Sequence, residues 1–145
     1  ELVPCLDIFN VVIFSDLQLK PYRTDDFITK LFYETSRFSA FNLQWVIRAK
    51  VIHESKDPAH SSERSLAYQL VLKSKVNQPM TVHYVVLKGP YGDTKVHPAI
   101  YKHEFTSESQ ETPHQDLPVI DSIECNKLLA SKTINLRLLV FQITS

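Results

Sequence analysis

Apolar and polar residues alternate along most of this chain, which is the pattern of β-strands that bury one face. In residues 43–52 (LQWVIRAKVI) every second side chain is apolar, and Arg48 and Lys50 point the other way. Successive side chains of a strand lie on opposite faces, so this period separates a core face from a solvent face. Residues 6–14 are apolar on both faces, which predicts a central or covered strand. The same alternation predicts further strands over 66–73, 82–86, 100–105 and 134–143.

Turn-forming residues separate these strands, and one late segment has a helical pattern. Prolines and glycines cluster at 57–58, 77–79 and 89–93, and a polar stretch covers 106–115. Asp121 suits a helix N-cap with Glu124 three residues later, and apolar residues follow to position 129, which predicts a short helix. Residues 24–33 fit a short helix or a strand equally well. The sequence therefore predicts a mostly β fold: an antiparallel β-sandwich with one short helix before the last strand.

Length and charge narrow the classes of function. A chain of 145 residues with 43% apolar and 22% charged residues fits one globular domain, residues 1–145. Sixteen Lys and Arg balance 16 Asp and Glu. Proteins that bind nucleic acid or membrane surfaces normally carry a basic excess or a polybasic run. The chain has no apolar run of about 18 residues, the length that a membrane-spanning helix needs. We expect neither nucleic acid nor membrane as a partner, and a cytoplasmic location.

The chain contains no recognisable catalytic or metal-binding motif. Cys5 and Cys125 are too few for a disulfide framework and are expected to be reduced thiols, with one disulfide between them as the alternative. The six histidines lack cysteine partners at zinc-ligand spacing. Gly89 and Gly92 bracket proline and tyrosine, whereas a serine-hydrolase elbow has a serine between its glycines. The sequence predicts no catalytic residue, no cofactor and no metal in this chain.

Aromatic and polar side chains outside the predicted core are the remaining candidates for function. Tyr91 lies in a Gly-Pro-Tyr-Gly loop, and Tyr101, His103 and Arg48 are expected on the face opposite the core or in a loop. Amphipathic aromatic residues and arginine are frequent at protein contacts. We predict that these four residues contact a protein or peptide, along a strand edge or in a sheet-face groove. The alternative is that the tyrosines only cover the edge of the core.

Several stretches resemble TRAF-type (MATH-like) domains. The run FYETS at 32–36, before an aromatic-rich strand, resembles their F-Y-x-S region, and SLAYQLVL at 65–72 resembles the strand after a charged loop. Residues 117–143 resemble the order of short strand, helix, turn and final strand found there and in seven-in-absentia ligases. The runs VVLKGPYGD and PAIY look like the C-terminal domain of a cysteine/histidine-rich, TRAF-type zinc-finger family. These are packing motifs, so they indicate fold more specifically than function.

The resemblance implies a longer parent protein with zinc-binding modules upstream, such as a RING-type ubiquitin ligase. This chain starts without methionine and is expected to be a C-terminal fragment. Zinc would then be confined to the upstream modules, and this domain would bind substrate or adaptor proteins. Self-association is left open. The main alternative is a C2-like sandwich that targets lipids or membranes, and a third hypothesis is an enzyme whose site assembles from scattered residues.

Overall fold

The computed structural model describes residues 9–21, 32–53, 64–88, 99–117, 127 and 133–143. This part of the chain consists almost entirely of β-strands and their connections. The strands are β1 (Phe9–Pro21), β2 (Phe32–Glu34), β3 (Phe38–Ala40), β4 (Leu43–His53), β5 (Arg64–Leu72), β6 (Met80–Lys88), β7 (Tyr101–Phe105), β8 (Gln115–Asp116) and β9 (Ile134–Ile143).

The strands form one antiparallel sheet in the order β7-β6-β9-β1-β2-β4-β5-β8, and β3 pairs with β4 beside this path. The long strand β1 joins its two halves. Most of β1 pairs with β9, from Phe9 opposite Ile143 to Leu19 opposite Ile134. Its last two residues, Lys20 and Pro21, pair instead with β2. The chain thus passes from one half of the sheet to the other without interrupting the hydrogen-bond ladder.

The sheet curls strongly, so that its two halves face each other across a core. The ring of Phe105 in β7 meets the ring of Trp45 in β4 edge to face, with centroids 5.0 Å apart, although these strands lie in different halves of the sheet. Both side chains are fully buried. The indole N–H of Trp45 donates to the Ala40 carbonyl at 2.9 Å, which satisfies its one polar atom. The core is therefore the concave side of a half-barrel.

The turn between β3 and β4 holds two residues with left-handed backbone conformation. Phe41 and Asn42 have φ angles of 55° and 60°, and they are the only residues between the paired Ala40 and Leu43. Two positive φ angles in a two-residue hairpin are typical of a type I′ turn, which matches the twist of the strands. Asparagine tolerates this conformation, whereas phenylalanine adopts it at a cost. Phe41 packs against the core, and this contact offsets the cost.

Thr35 continues the pairing along β4 between the short strands β2 and β3. Its N–H donates to the Ile47 carbonyl at 3.0 Å, and its hydroxyl accepts from the Ile47 N–H at 3.0 Å. Thr35 is buried, so these bonds keep backbone groups of β4 satisfied where neither short strand reaches.

The predicted alternation is confirmed in the described strands. The side chains expected in the core are buried in β5, β6 and β9 and buried or partly buried in β4, and the fold is mostly β and antiparallel. The described strands form one curled sheet, whereas the sequence predicted two packed sheets; the shared strand β1 accounts for the difference. Residues 32–34 are a strand, which decides the end of the ambiguous segment 24–33. The predicted helix at 121–129 lies outside the described residues except for Lys127, whose backbone is helical.

The first predicted strand is central, but it is not covered on both faces. β1 lies between β9 and β2 in the sheet. Its inner side chains, including Leu19, pack in the core, while Val12 and Phe14 on the outer face are 42% and 64% exposed. An apolar residue on each face of a strand therefore does not guarantee that something covers both faces.

Candidate functional site

The two ends of the curled sheet approach each other on the open side of the half-barrel. In the described part of the chain, β7 pairs only with β6, and β8 pairs only with β5. The segment 106–114 connects β7 directly to β8 in sequence, so it spans the gap between the two edges. We call this gap the seam and define it by Tyr68, Tyr84, Tyr101 and Thr112.

A tight turn starts the segment that spans the seam. Thr106 and Ser109 exchange backbone hydrogen bonds of 3.1 Å each, and the Glu108 N–H donates to the Thr106 hydroxyl at 3.2 Å. Gln110 then anchors the segment to the end of β5, because its side-chain amide donates to the carbonyls of Leu72 and Ser74, both at 2.9 Å. These bonds bring the chain from the edge of β7 to the edge of β5.

Thr112 joins the two halves of the sheet at the seam. Its hydroxyl accepts from the Leu70 N–H at 2.9 Å, and its own N–H donates to the Leu70 carbonyl at 3.0 Å. The Thr112 side chain also lies close enough to Tyr84 in β6 to lower the pKa of that phenol. Gln69 adds a bond from its side-chain amide to the Thr112 carbonyl at 3.0 Å. A single buried threonine thus bonds to β5 and lies beside a side chain from the opposite half of the sheet.

Three tyrosines from three strands gather beside Thr112. Tyr84 and Tyr101 have ring centroids 5.7 Å apart with a tilt of 34°. Burial raises the pKa of Tyr68, and the nearby phenols of Tyr84 and Tyr101 raise it further because a second negative charge would be unfavourable. Burial also raises the pKa of Tyr84, and the Thr112 side chain acts in the opposite direction. Tyr68 and Tyr84 are fully buried, and only Tyr101 is partly exposed at the mouth of the seam.

The raised tyrosine pKa values predict a loss of stability at alkaline pH. The pKa of Tyr68 is higher in the folded than in the unfolded chain, whose tyrosines titrate near pH 10. Its contribution to stability is therefore complete below about pH 10 and is lost as the pH rises above that value. We expect Tyr68→Phe to reduce the slope of unfolding free energy against pH above about pH 10. Urea titrations at several alkaline pH values measure that slope; parallel slopes for the variant and the parent chain would contradict the prediction.

The structure brings two of the four predicted contact residues together, on a different face from the one expected. Tyr101 and His103 share the concave side of β7 with Phe105, so their expected placement opposite the core is wrong. Tyr101 packs against the core, and His103 meets the ring of Phe105 edge to face at 4.5 Å. Their position at the seam is compatible with contact to a partner, which stays a prediction.

His103 also stabilises the turn that leaves β7. Its Nε2 lies 3.0 Å from the hydroxyl of Ser109 and 3.4 Å from the Ser109 carbonyl. A serine beside a histidine suggests nucleophilic catalysis only when a third group orients the histidine ring. Within the described part of the chain, the polar contacts of His103 go to Ser109, and its ring contacts Phe105. The pair therefore fits a structural role in the turn.

Arg48 lies on the outer face of β4, away from the tyrosines, between two carboxylates. Its Nε is 2.8 Å from a Glu34 carboxylate oxygen on β2, and its Nη1 is 3.6 Å from a Glu111 carboxylate oxygen beside β5. About a third of its side chain is exposed, so the ion pairs contribute little to stability, about 0–1 kcal/mol. The predicted role of Arg48 in partner binding would require it to exchange these carboxylates for a ligand. Tyr91 lies outside the described residues.

Sequence reasoning did not single out Tyr68, Tyr84 and Thr112 as members of a site. The alternation correctly placed Tyr68 and Tyr84 on core faces. Their proximity depends on how the sheet curls, and a local pattern does not contain that information. Thr112 stood in a polar stretch that predicted only a loop, and a lone threonine next to Pro113 carries no signal for a buried connection.

Within the described residues, no group of three or more His, Cys, Asp or Glu side chains is arranged to hold a metal ion. In the same part of the chain, no helix has the length and apolar character needed to span a membrane.

Comparison with known proteins identifies the family. Residues 10–144 match the family model described as the CYHR1 TRAF, C-terminal domain. The chain is 54% identical to zinc finger TRAF-type-containing protein 1-B of Xenopus laevis over 93% of its length, which is 37% of that protein. It is 52% identical to zinc finger TRAF-type-containing protein 1 of Homo sapiens over 93% of this chain and 33% of the relative. The chain thus spans about a third of these relatives, and the resemblance to TRAF-type domains is confirmed. This chain belongs to the CYHR1 TRAF C-terminal domain family.

Proposed function

We propose that this domain binds an extended peptide segment of a partner protein at the seam, by strand addition to the edge of β7. TRAF domains are protein-interaction modules and are typically non-catalytic, which supports a binding function for this member of the family. The observation that carries the proposal is the position of β7 as the last strand of the described sheet, with Tyr101 partly exposed beside it.

The edge of β7 has the groups that strand addition requires. In an antiparallel strand every second residue directs its N–H and C=O away from the paired neighbour, so β7 offers these groups on the side opposite β6. A peptide that pairs with such an edge gains main-chain hydrogen bonds, and its alternate side chains enter adjacent pockets. β7 has five residues, so it would pair with a peptide segment of about 17 Å at about 3.3 Å per residue.

The side chains of β7 suit selective pairing. Lys102 and Glu104 are exposed on the outer face, and charges on an edge strand disfavour pairing with arbitrary strands. Tyr101 and His103 on the inner face present an amphipathic phenol and an imidazole to an incoming side chain. The proposed ligand is therefore an extended peptide with an apolar or aromatic residue facing Tyr101 and charges opposite to those of Lys102 and Glu104.

For the longer relatives, we propose that this domain recruits substrates or adaptors to a cytoplasmic zinc-finger ubiquitin ligase. The support is the name of the relatives, which are zinc finger proteins, and the share of their length that lies outside this domain. Zinc and any transfer chemistry would then belong to the remaining two thirds of the protein. In this arrangement the domain supplies recognition and takes no part in the chemical step.

A peptide selected from a random display library on the 145-residue chain tests strand addition to β7. We expect its binding to slow amide hydrogen exchange in residues 101–105 more than in the other strands. Tyr101→Ala should lower the affinity for the selected peptide about tenfold, which corresponds to about 1.4 kcal/mol of binding free energy. Ile100→Ala is the matched control, because Ile100 precedes β7 and is 64% exposed. Protection confined to another strand, or equal effects of the two variants, would refute the proposal. The affinity of Tyr91→Ala for the same peptide decides whether Tyr91 also contributes to binding.

A further inference from the structure

A cleft opens in the sheet where β1 and β3 separate. The short strand β2 pairs with both β1 and β4, but it ends at Glu34. Beyond that point β3 continues the pairing with β4, while β1 continues with β9. The register of Lys20 opposite Glu34, if continued, would bring Ile13 near Phe41, yet β1 and β3 do not pair in the described sheet. A cavity of about 430 Å³ occupies this place, and we call it the cleft.

The lining of the cleft combines an apolar floor with uncharged polar groups. Six residues of β1, β3, β4 and the β3–β4 turn line it: Ile13, Ser39, Ala40, Phe41, Asn42 and Gln44. Ala40 belongs to the core, and Ile13 and Phe41 pack against it, so the core holds these three side chains in place. The other three residues contribute two amides and a hydroxyl, and none of the six carries a charge.

Several polar groups of the cleft are available to a ligand. The side-chain amide of Gln44 donates to the Ser39 hydroxyl at 2.7 Å, which leaves the side-chain carbonyl of Gln44 as an acceptor. In the described part of the chain, the side-chain amide of Asn42 has no hydrogen-bond partner. An amide supplies both donors and an acceptor, so Asn42 and Gln44 together suit a neutral group that can donate and accept.

The backbone is strained at the residue that forms one wall of the cleft. Phe41 has a φ angle of 55°, which an aromatic residue adopts at a cost, whereas Asn-Gly is the usual sequence of such a two-residue turn. Residues in such conformations cluster at ligand-binding sites and persist where the surrounding structure fixes them. Here the hydrogen bond from the Trp45 indole to the Ala40 carbonyl fixes the hairpin. The turn thus places an aromatic ring at the cleft at the expense of an easier backbone.

We propose that the cleft binds a tyrosine side chain of a partner protein, as a second contact site separate from the edge of β7. The tyrosine ring packs against Ile13, Ala40 and Phe41. Its hydroxyl donates to the Gln44 side-chain carbonyl and accepts from the Asn42 amide. The two sites do not overlap, because β7 is the last strand of the described sheet and the cleft lies beside β1 in its middle.

The chemistry of the lining selects tyrosine over other side chains. A charged side chain would lose hydration and meet no opposite charge among the six residues. Leucine or phenylalanine would suit the apolar floor, but it would cover the amides without bonding to them, which lowers affinity. Tyrosine has an apolar ring and one neutral hydroxyl that both donates and accepts. A phosphorylated tyrosine carries about two negative charges and is disfavoured for the same reason as other charged groups.

An NMR titration of the isotope-labelled 145-residue chain with the peptide acetyl-Gly-Tyr-Gly-amide tests the proposal. We expect saturable changes in the amide shifts of residues 39–44. The corresponding phenylalanine peptide should bind about two- to tenfold more weakly, because it lacks the hydroxyl. The phosphotyrosine peptide should not bind. Equal affinities of the tyrosine and phenylalanine peptides, or shift changes confined to other residues, would overturn the proposal.

Asn42→Gly separates the hydroxyl contact from the shape of the hairpin. Glycine adopts the left-handed conformation readily, so the turn persists while the amide is lost. We expect this variant to bind the tyrosine and phenylalanine peptides with more nearly equal affinity. Asn77→Gly is the matched control, because Asn77 is an exposed asparagine between β5 and β6 that does not line the cleft, and it should keep the full preference. The same change of preference in both variants, or in neither, would refute the role of Asn42.

The two proposed contact sites are measured at different residues. Binding at the cleft is detected at residues 39–44, and strand addition is detected at residues 101–105. A peptide selected for the edge of β7 should therefore bind Asn42→Gly as tightly as the parent chain. Failure of the cleft to bind the tyrosine peptide would leave strand addition to β7 standing, and the converse also holds.

Discussion

Replacing Phe105 with alanine should lower the free energy of unfolding by about 3–5 kcal/mol, the cost of a large cavity in a packed core. Phe105 is fully buried, and its ring touches both Trp45 on the facing half of the sheet and His103 on its own strand. The substitution removes the contact that holds the end strand β7 against β4. Because β7 is paired on one side only in the described sheet, few other contacts replace it. Most domains have a total stability of 5–15 kcal/mol, so this is a large fraction.

Tryptophan fluorescence during urea unfolding measures this effect directly, since Trp45 is the single tryptophan of the chain and touches Phe105. Phe105→Leu is the graded variant and should cost less, because leucine fills part of the cavity. Ile100→Ala is the surface control and should change stability by no more than about 0.5 kcal/mol, because Ile100 is 64% exposed. A loss in Phe105→Ala as small as that of Ile100→Ala would mean that β7 does not pack against β4.

Thr112→Val should destabilise the protein by about 1–3 kcal/mol although the side chain keeps its shape, because the buried Leu70 N–H loses its partner. Thr112 is 2% exposed, so water does not replace the lost hydroxyl easily. The substitution therefore tests whether the hydrogen bonds of one residue connect the two edges of the sheet.

The control for this prediction is Thr112→Ser, which keeps the hydroxyl and loses only a methyl group, at a cost of about 1 kcal/mol. A second readout is specific to the seam. The Thr112 side chain lowers the pKa of Tyr84, so Thr112→Val should raise that pKa, which an alkaline absorbance titration of the phenols detects. If the valine and serine variants lose equal stability and the tyrosine titration is unchanged, the hydroxyl does not bridge the edges.

Periodicity predicted the members of the core with good accuracy. Trp45, Ile47, Leu70 and Leu138 are all buried, as the alternation required, because the direction of a side chain in a strand depends only on its position along that strand. The balanced charge and the motifs shared with TRAF-type domains likewise indicated a protein-binding domain, and the family assignment agrees with the second of these.

The candidate contact residues were predicted less well, for a physical reason. A strand has two faces, and the same alternation fits a core on either side until neighbouring strands are known. Tyr101 and His103 have amphipathic side chains that suit both an outer face and the rim of a core, and packing against Tyr84 and Phe105 places them at the rim. Arg48 was expected opposite the core and is there, but its carboxylate partners come from two other segments of the chain.

Local order of residues was sufficient to predict the long strands and a mostly β, antiparallel fold, because these follow from the period of two and from turn-forming residues. Long-range packing decided the features that the sequence did not predict: the continuous ladder through β1, the seam beside Thr112, and the position of β7 at the end of the described sheet. Those features depend on register and curvature between segments up to 121 residues apart, as in the pair of Asp16 and Arg137. Contacts at that separation arise only when the whole sheet closes around its core.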